Sequence, residues 1–128
     1  MNLALTPTGF VAVGCGAMLG AWLRWGLQNW LNHHPRLVPL GTLFANLLGG
    51  LLVGIALAWF ARHPEVSTVW RLALVTGFLG ALTTFSTFSA ESLQLIQRGQ
   101  IGWAGVHSFA HLAGCLLAAH IGYKVGGG

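Results

Sequence analysis

Apolar residues run along this chain in four long stretches, at about 8–31, 40–61, 70–97 and 101–123. Short polar segments, NHHPRLVP, RHPEVST and RGQ, separate them and hold Pro35, Pro39 and Pro64, where chain-breaking residues belong. A helix needs roughly 20 mostly apolar residues to cross a hydrocarbon layer about 30 Å thick. Each stretch meets that length. The first contains one charge, Arg24, and the second none, with Asn46 as its most polar residue. The third contains a dense polar cluster, and the fourth carries His107, His111 and His120. The pattern predicts an all-α membrane protein, with residues 1–128 forming a single transmembrane domain of four helices.

Composition sharpens that reading. Only 6% of the 128 residues are charged and 55% are hydrophobic, whereas a soluble domain devotes about a quarter to Asp, Glu, Lys and Arg. The six basic residues stand singly and make no patch or stripe, which excludes nucleic acid as a partner. Cys15 and Cys115 fall inside apolar stretches and read as small buried residues, not as a disulfide framework. The N-terminus, MNLALTPTGF, lacks the basic region of a signal peptide, so its apolar run is kept as a membrane span. No nucleophile–base–acid set stands outside the helices, and the chain is not read as an enzyme. Gly16/Gly20 and Gly50/Gly54 are four apart, so each pair shares a helix face and allows close helix approach in lipid.

Loop charges bear on orientation. With four spans, Arg62, Arg71 and Lys124 lie on one side; Arg36, Arg98 and the span-end Arg24 lie on the other. An even split gives the positive-inside rule nothing to act on. The chain is therefore expected to insert both ways, and oppositely oriented copies to pair. Four helices enclose little room for a water-lined path, so a pathway is expected between copies.

The third span contains GFLGALTTFSTFSAE at residues 77–91. Five of the seven residues from Thr83 to Ser89 carry hydroxyls, and Gly77 and Gly80 precede them. Hydroxyls can bond back to their own helix carbonyls, but this many beside two glycines predicts a break in the third helix. Backbone freed at membrane depth is tolerated where it lines a cavity or binds something, and freed carbonyls suit a small cation. Phe85 and Phe88 share a helix face. They either pack in a core or turn their electropositive ring edges to an anion. Asn46 either joins two helices or offers its amide to that same path. No acidic residue lies among the hydroxyls and rings, so the cluster suits an anion.

This motif, with GAMLGAWLRW in the first span and GTLFANLLGG in the second, resembles the Fluc (CrcB-type) fluoride channels along almost the whole chain. The resemblance implies a passive fluoride-selective channel in a bacterial-type inner membrane that lowers cytoplasmic fluoride. It implies an antiparallel dual-topology homodimer with two pores and a structural sodium ion at its centre, and no organic cofactor. By position in the motif, Gly80 and Thr83 would give backbone carbonyls to the sodium. Phe85, Phe88 and Asn46 would border the pore, with Ser86 and Thr87 as a hydroxyl track. Arg24 and Glu91 match a family arginine and glutamate, as vestibule or structural charges.

The fourth helix departs from the family's pattern of Tyr or Ser-type residues. His107, His111 and Cys115 are four apart and form one stripe, which is assigned to the pore; a histidine there is either a neutral hydrogen-bonding replacement or a titrating group, and His120 falls off the stripe. Metal or haem ligation is the outside reading, because two residues on one helix cannot complete a shell. The alternative function, a dual-topology small multidrug/proton antiporter, needs a carboxylate in the first span, where only Arg24 is charged.

Overall fold

The computed structural model describes residues 5–32 and 38–128; Pro35 and Arg36 lie outside them. Thr6 opens the first helix, α1 (Pro7–Leu31), by accepting the Gly9 N–H at 3.0 Å, with Pro7 at the first helical position. The second helix, α2 (Leu40–Arg62), is almost wholly apolar. The third span is built in pieces. A short α3 (Thr68–Arg71), capped by Ser67, runs into a π-helical segment, Leu72–Leu79, and one turn of α4 (Gly80–Leu82). Thr83 and Thr84 are extended, and α5 (Phe85–Gln97) then begins. Gly99, at φ 74°, ends α5 in the left-handed conformation. Its N–H bonds Ile96 O while that of Gln100 bonds Leu95 O, closing the carbonyl end of the helix before α6 (Ile101–Val125). Four helical stretches, Pro7–Leu31, Leu40–Arg62, Thr68–Gln97 and Ile101–Val125, are long and apolar enough to cross a membrane. They coincide closely with the stretches expected from the sequence.

Two glycine seams hold the helices together. α1 lies against the π segment, where a Cβ on Gly16 would meet the carbonyl oxygen of Ala73 and one on Gly20 that of Phe78. α2 lies against α6, where a Cβ on Gly54 would meet Ala119 O and one on Gly122 would meet Leu51 O. The paired spacing seen in the sequence is thus a close-approach device. Leu79 and Leu82 of the third span pack with Ala45, Ala56 and Phe60 of α2 as the buried apolar centre. Phe10, Trp22, Trp25, Leu112 and Leu116 are exposed on the single chain, as suits a surface met by lipid or by another subunit.

The break expected from the hydroxyl cluster beside Gly77 and Gly80 falls at the start of that cluster. Both glycines are helical, and Gly77 serves contact: a Cβ there would come within 2.6 Å of Val13 O. The chain leaves the helix at Thr83–Thr84, where side chains capture the backbone groups that would have continued it. The π segment just before it belongs to a class of local distortion that recurs at functional sites.

Candidate functional site

Asn46, on α2 and 8% exposed, grips the break. Its Oδ1 accepts the Thr84 N–H at 2.7 Å, and its Nδ2 donates to the Thr84 carbonyl at 3.1 Å. The same Nδ2 lies 3.0 Å from His111 Nδ1. Thr84's own carbonyl cannot accept from the Asn46 oxygen, so the amide orientation is fixed, and His111 Nδ1 is the acceptor. Both Asn46 hydrogens are thereby engaged. This one side chain replaces a turn of helix and orients an imidazole on α6.

The hydroxyl cluster divides into two kinds. Thr83 Oγ1 donates to Leu79 O at 2.9 Å and Ser89 Oγ to Phe85 O at 2.8 Å, so these two bond back to the helix. Thr84 Oγ1 instead accepts the Thr87 N–H at 3.1 Å as the cap of α5, donates to Thr87 Oγ1 at 3.0 Å and lies 3.3 Å from Ser86 Oγ. Thr84, Ser86 and Thr87 thus string hydroxyls along the start of α5. Two carbonyls lose their helical donors as a result. The Thr84 N–H that would serve Gly80 goes to Asn46, and the Thr87 N–H that would serve Thr83 goes to the Thr84 hydroxyl. Arg24 Nε takes a third, donating to Ala81 O at 3.0 Å at the carbonyl end of α4.

An open cavity of about 500 Å³ runs past the break, lined by Asn46, Gly80, Thr83, Phe85, Phe88, His111 and Cys115 among others. Ser86, Thr87 and His107 are outside its lining. Phe85 is 80% exposed, and its ring centroid lies 5.4 Å from that of Phe88. Phe88 in turn contacts both imidazoles, at 5.2 Å from His107 and 4.8 Å from His111.

Behind Phe88 the polar groups continue. Thr42, fully buried on α2, donates to Glu91 Oε1 at 2.5 Å and accepts from Gln28 Nε2 at 3.3 Å. The other Glu91 oxygen is 3.4 Å from Nε2 of His107, which is fully buried. One ligand-type atom from each of Glu91, His107 and His111 lies within 4.8 Å of the other two. Glu91, on α5, thus joins the two α6 imidazoles in one cluster.

Residues 11–123 match the family described as CrcB-like protein, Camphor Resistance (CrcB). The chain belongs to this family. It is 58% identical over 123 residues to the fluoride-specific ion channel FluC of Aromatoleum aromaticum, covering 96% of this chain and 94% of that one. The FluC proteins of Cupriavidus pinatubonensis and Pseudomonas putida are 55% and 54% identical, over 91% and 88% of this chain and 92% and 88% of theirs.

Within this CrcB-like chain, sequence reasoning singled out Asn46, Thr83, Phe85, Phe88 and the histidine stripe, which all gather around the break. It missed Thr42 and Gln28. Both are polar residues inside apolar spans, and that alone is the signal that finds them.

Proposed function

We propose that the chain is a fluoride-selective channel that lets fluoride leave the cell passively down its gradient, and that it is not an enzyme. The observation that carries this reading is identity above one half, over nearly full length, to proteins named for that activity. The geometry supports a path along the cavity. An anion there meets the edges of Phe85 and Phe88 and the imidazole of His111, with no carboxylate among the lining residues. Asn46 borders the path, and its N–H toward His111 is the donor that a passing anion competes for. Ser86 and Thr87 extend hydroxyls beyond the lining. Cys115 lies further along the same α6 face. His107 acts through Phe88 and Glu91 rather than at the cavity wall.

The working unit in this reading is an antiparallel homodimer of dual topology. Support comes from the even division of loop charge and from a cavity left open beside the break on the single chain. A structural sodium ion fits its centre, because the Gly80 and Thr83 carbonyls have lost their helical donors and sodium takes oxygen ligands. When bound, the ion would satisfy carbonyls from both copies and fix the helix break. Arg24 acts structurally, on Ala81 O.

The test is fluoride efflux from proteoliposomes, with chloride efflux and protein-free vesicles alongside. Rapid fluoride release with negligible chloride release is expected. Equal release of both ions, or release no faster than empty vesicles, would overturn the reading.

A further inference from the structure

We infer that Glu91, His107 and His111 form a binding site for a divalent transition-metal ion of the zinc type, and that its occupation closes the anion path beside Asn46. The starting observation is a concentration of buried polar atoms without hydrogen-bond partners. Among the described residues, Glu91 Oε2, both ring nitrogens of His107 and Nε2 of His111 have no partner in good hydrogen-bond geometry. The 3.4 Å separation of His107 Nε2 from Glu91 Oε2 is beyond the ordinary range of such bonds. Buried polar groups are normally paired, so several unpaired in one place call for a ligand that satisfies them together.

The donor set selects the ligand. Two imidazoles and one carboxylate form the three-ligand arrangement of open zinc sites, with a fourth position free. Alkali and alkaline-earth ions want oxygen alone, whereas imidazole favours zinc, copper and nickel. Ligand atoms around one tetrahedral ion stand about 3.3 Å apart. The three groups, already within 4.8 Å, need only side-chain adjustment to reach that spacing. His111 and Phe88 line the cavity, which gives an ion its way in.

Closure follows from the hydrogen bond between Asn46 and His111. His111 Nδ1 accepts from Asn46, so the neutral ring carries its hydrogen on Nε2. Ligation through Nε2 moves that hydrogen to Nδ1, where it faces the Asn46 amide donor. Ligation through Nδ1 displaces the donor outright. The amide cannot turn over to help, because Thr84 N–H and C=O hold both its ends. By either nitrogen, metal occupation breaks the Asn46–His111 bond. It also places a divalent charge, with an open coordination position, where an anion must pass and leave. An anion held there leaves slowly.

The test uses the full-length chain without a polyhistidine tag. Cobalt(II) is titrated into detergent-purified protein, the visible bands of tetrahedral cobalt are followed, and zinc is added to displace it. One ion per chain is expected, bound about tenfold or more weakly by Glu91→Gln and lost from this site in His107→Gln/His111→Gln. His120→Gln, on an exposed residue off the stripe, is expected to leave binding and flux unchanged. Zinc X-ray absorption of the wild-type chain, which needs no variant to fold, is expected to find two imidazoles per ion. Wild-type cobalt spectra in the double variant, or fewer than two imidazoles in the wild type, would overturn the site. In proteoliposomes, zinc is expected to lower wild-type fluoride efflux about tenfold or more, reversibly with a chelator; unchanged efflux at saturating zinc would overturn the closure. Only this flux arm rests on the channel reading. Absence of basal fluoride efflux would count against that reading and leave the spectroscopic result standing.

Discussion

The glycine seams and the polar junction at the helix break both join helices inside the membrane, by opposite means. Along the seams, Gly16, Gly20, Gly54 and Gly122 bring backbone against a neighbouring carbonyl oxygen, and the contact depends on what is missing from each residue. At the junction, Asn46 bonds Thr84 and His111 Nδ1, and Thr42 bonds Glu91 Oε1, so hydrogen bonds tie α2 to α5 and α6. Lipid explains why both are needed. Helices gain little by burying apolar surface from an apolar solvent, so close packing and internal hydrogen bonds carry association. A seam tolerates no added atom, and the junction tolerates no lost partner.

Removing a partner is expected to have the largest effect. Asn46→Ala leaves Thr84 N–H and C=O buried without ligands, at about 1–3 kcal/mol for each group. The variant should melt well below wild type in detergent, and its fluoride efflux should fall by an order of magnitude or more. Wild-type melting with wild-type efflux would mean that the break holds itself open without Asn46. Adding an atom at a seam comes next. Gly16→Ala drives a Cβ into Ala73 O, a backbone atom that cannot move aside, for about 1–3 kcal/mol of overpacking. Thermal melting measures it, and a loss below about 0.5 kcal/mol would show that α1 and the π segment can separate freely.

Phe85→Ile sharpens the junction side of the contrast. The ring is 80% exposed and packs mainly on Phe88, so stability should change by less than about 1 kcal/mol. The isoleucine keeps bulk but has no electropositive edge, and efflux should fall about tenfold. Unchanged efflux would remove Phe85 from the anion path.

The spans were legible because a stretch of some 20 apolar residues has few other uses. The Gly16/Gly20 and Gly50/Gly54 pairs were legible from spacing, since residues four apart share a face, whereas Gly122 on the facing helix was not singled out. The break was legible from the hydroxyl cluster, but the part each glycine plays was not. Gly77 and Gly80 look like breakers in one dimension, and only the approach of Val13 reveals Gly77 as a contact residue. The break falls at Thr83–Thr84 because Asn46, 38 residues earlier, captures Thr84. A pairing over that separation leaves no trace in local propensity. Glu91 illustrates the same limit. Its number four places after Thr87 says where it lies on α5, but nothing in the sequence brings it to the imidazole of His107.

Gly14→Ala is expected to give the smallest effect, and the opposite sign to Gly16→Ala two residues along the same helix. A Cβ at Gly14 meets nothing within 4 Å, whereas at Gly16 it meets Ala73 O. Glycine and alanine differ by about 1 kcal/mol in a helix interior, in favour of alanine. With no contact to oppose it, the change at Gly14 should leave α1 as stable as before or stabilise it by up to about that amount. Melting of both variants in the same detergent, with gel filtration to follow assembly, isolates the local term, because the two positions share a helix and differ only in what they face. A rise or no change at Gly14 beside a fall at Gly16 confirms that close approach, not glycine content, is what the seam requires. A fall at Gly14 as deep as that at Gly16 would mean that the outer face of α1 is itself packed against another surface, and that glycine there too serves close approach.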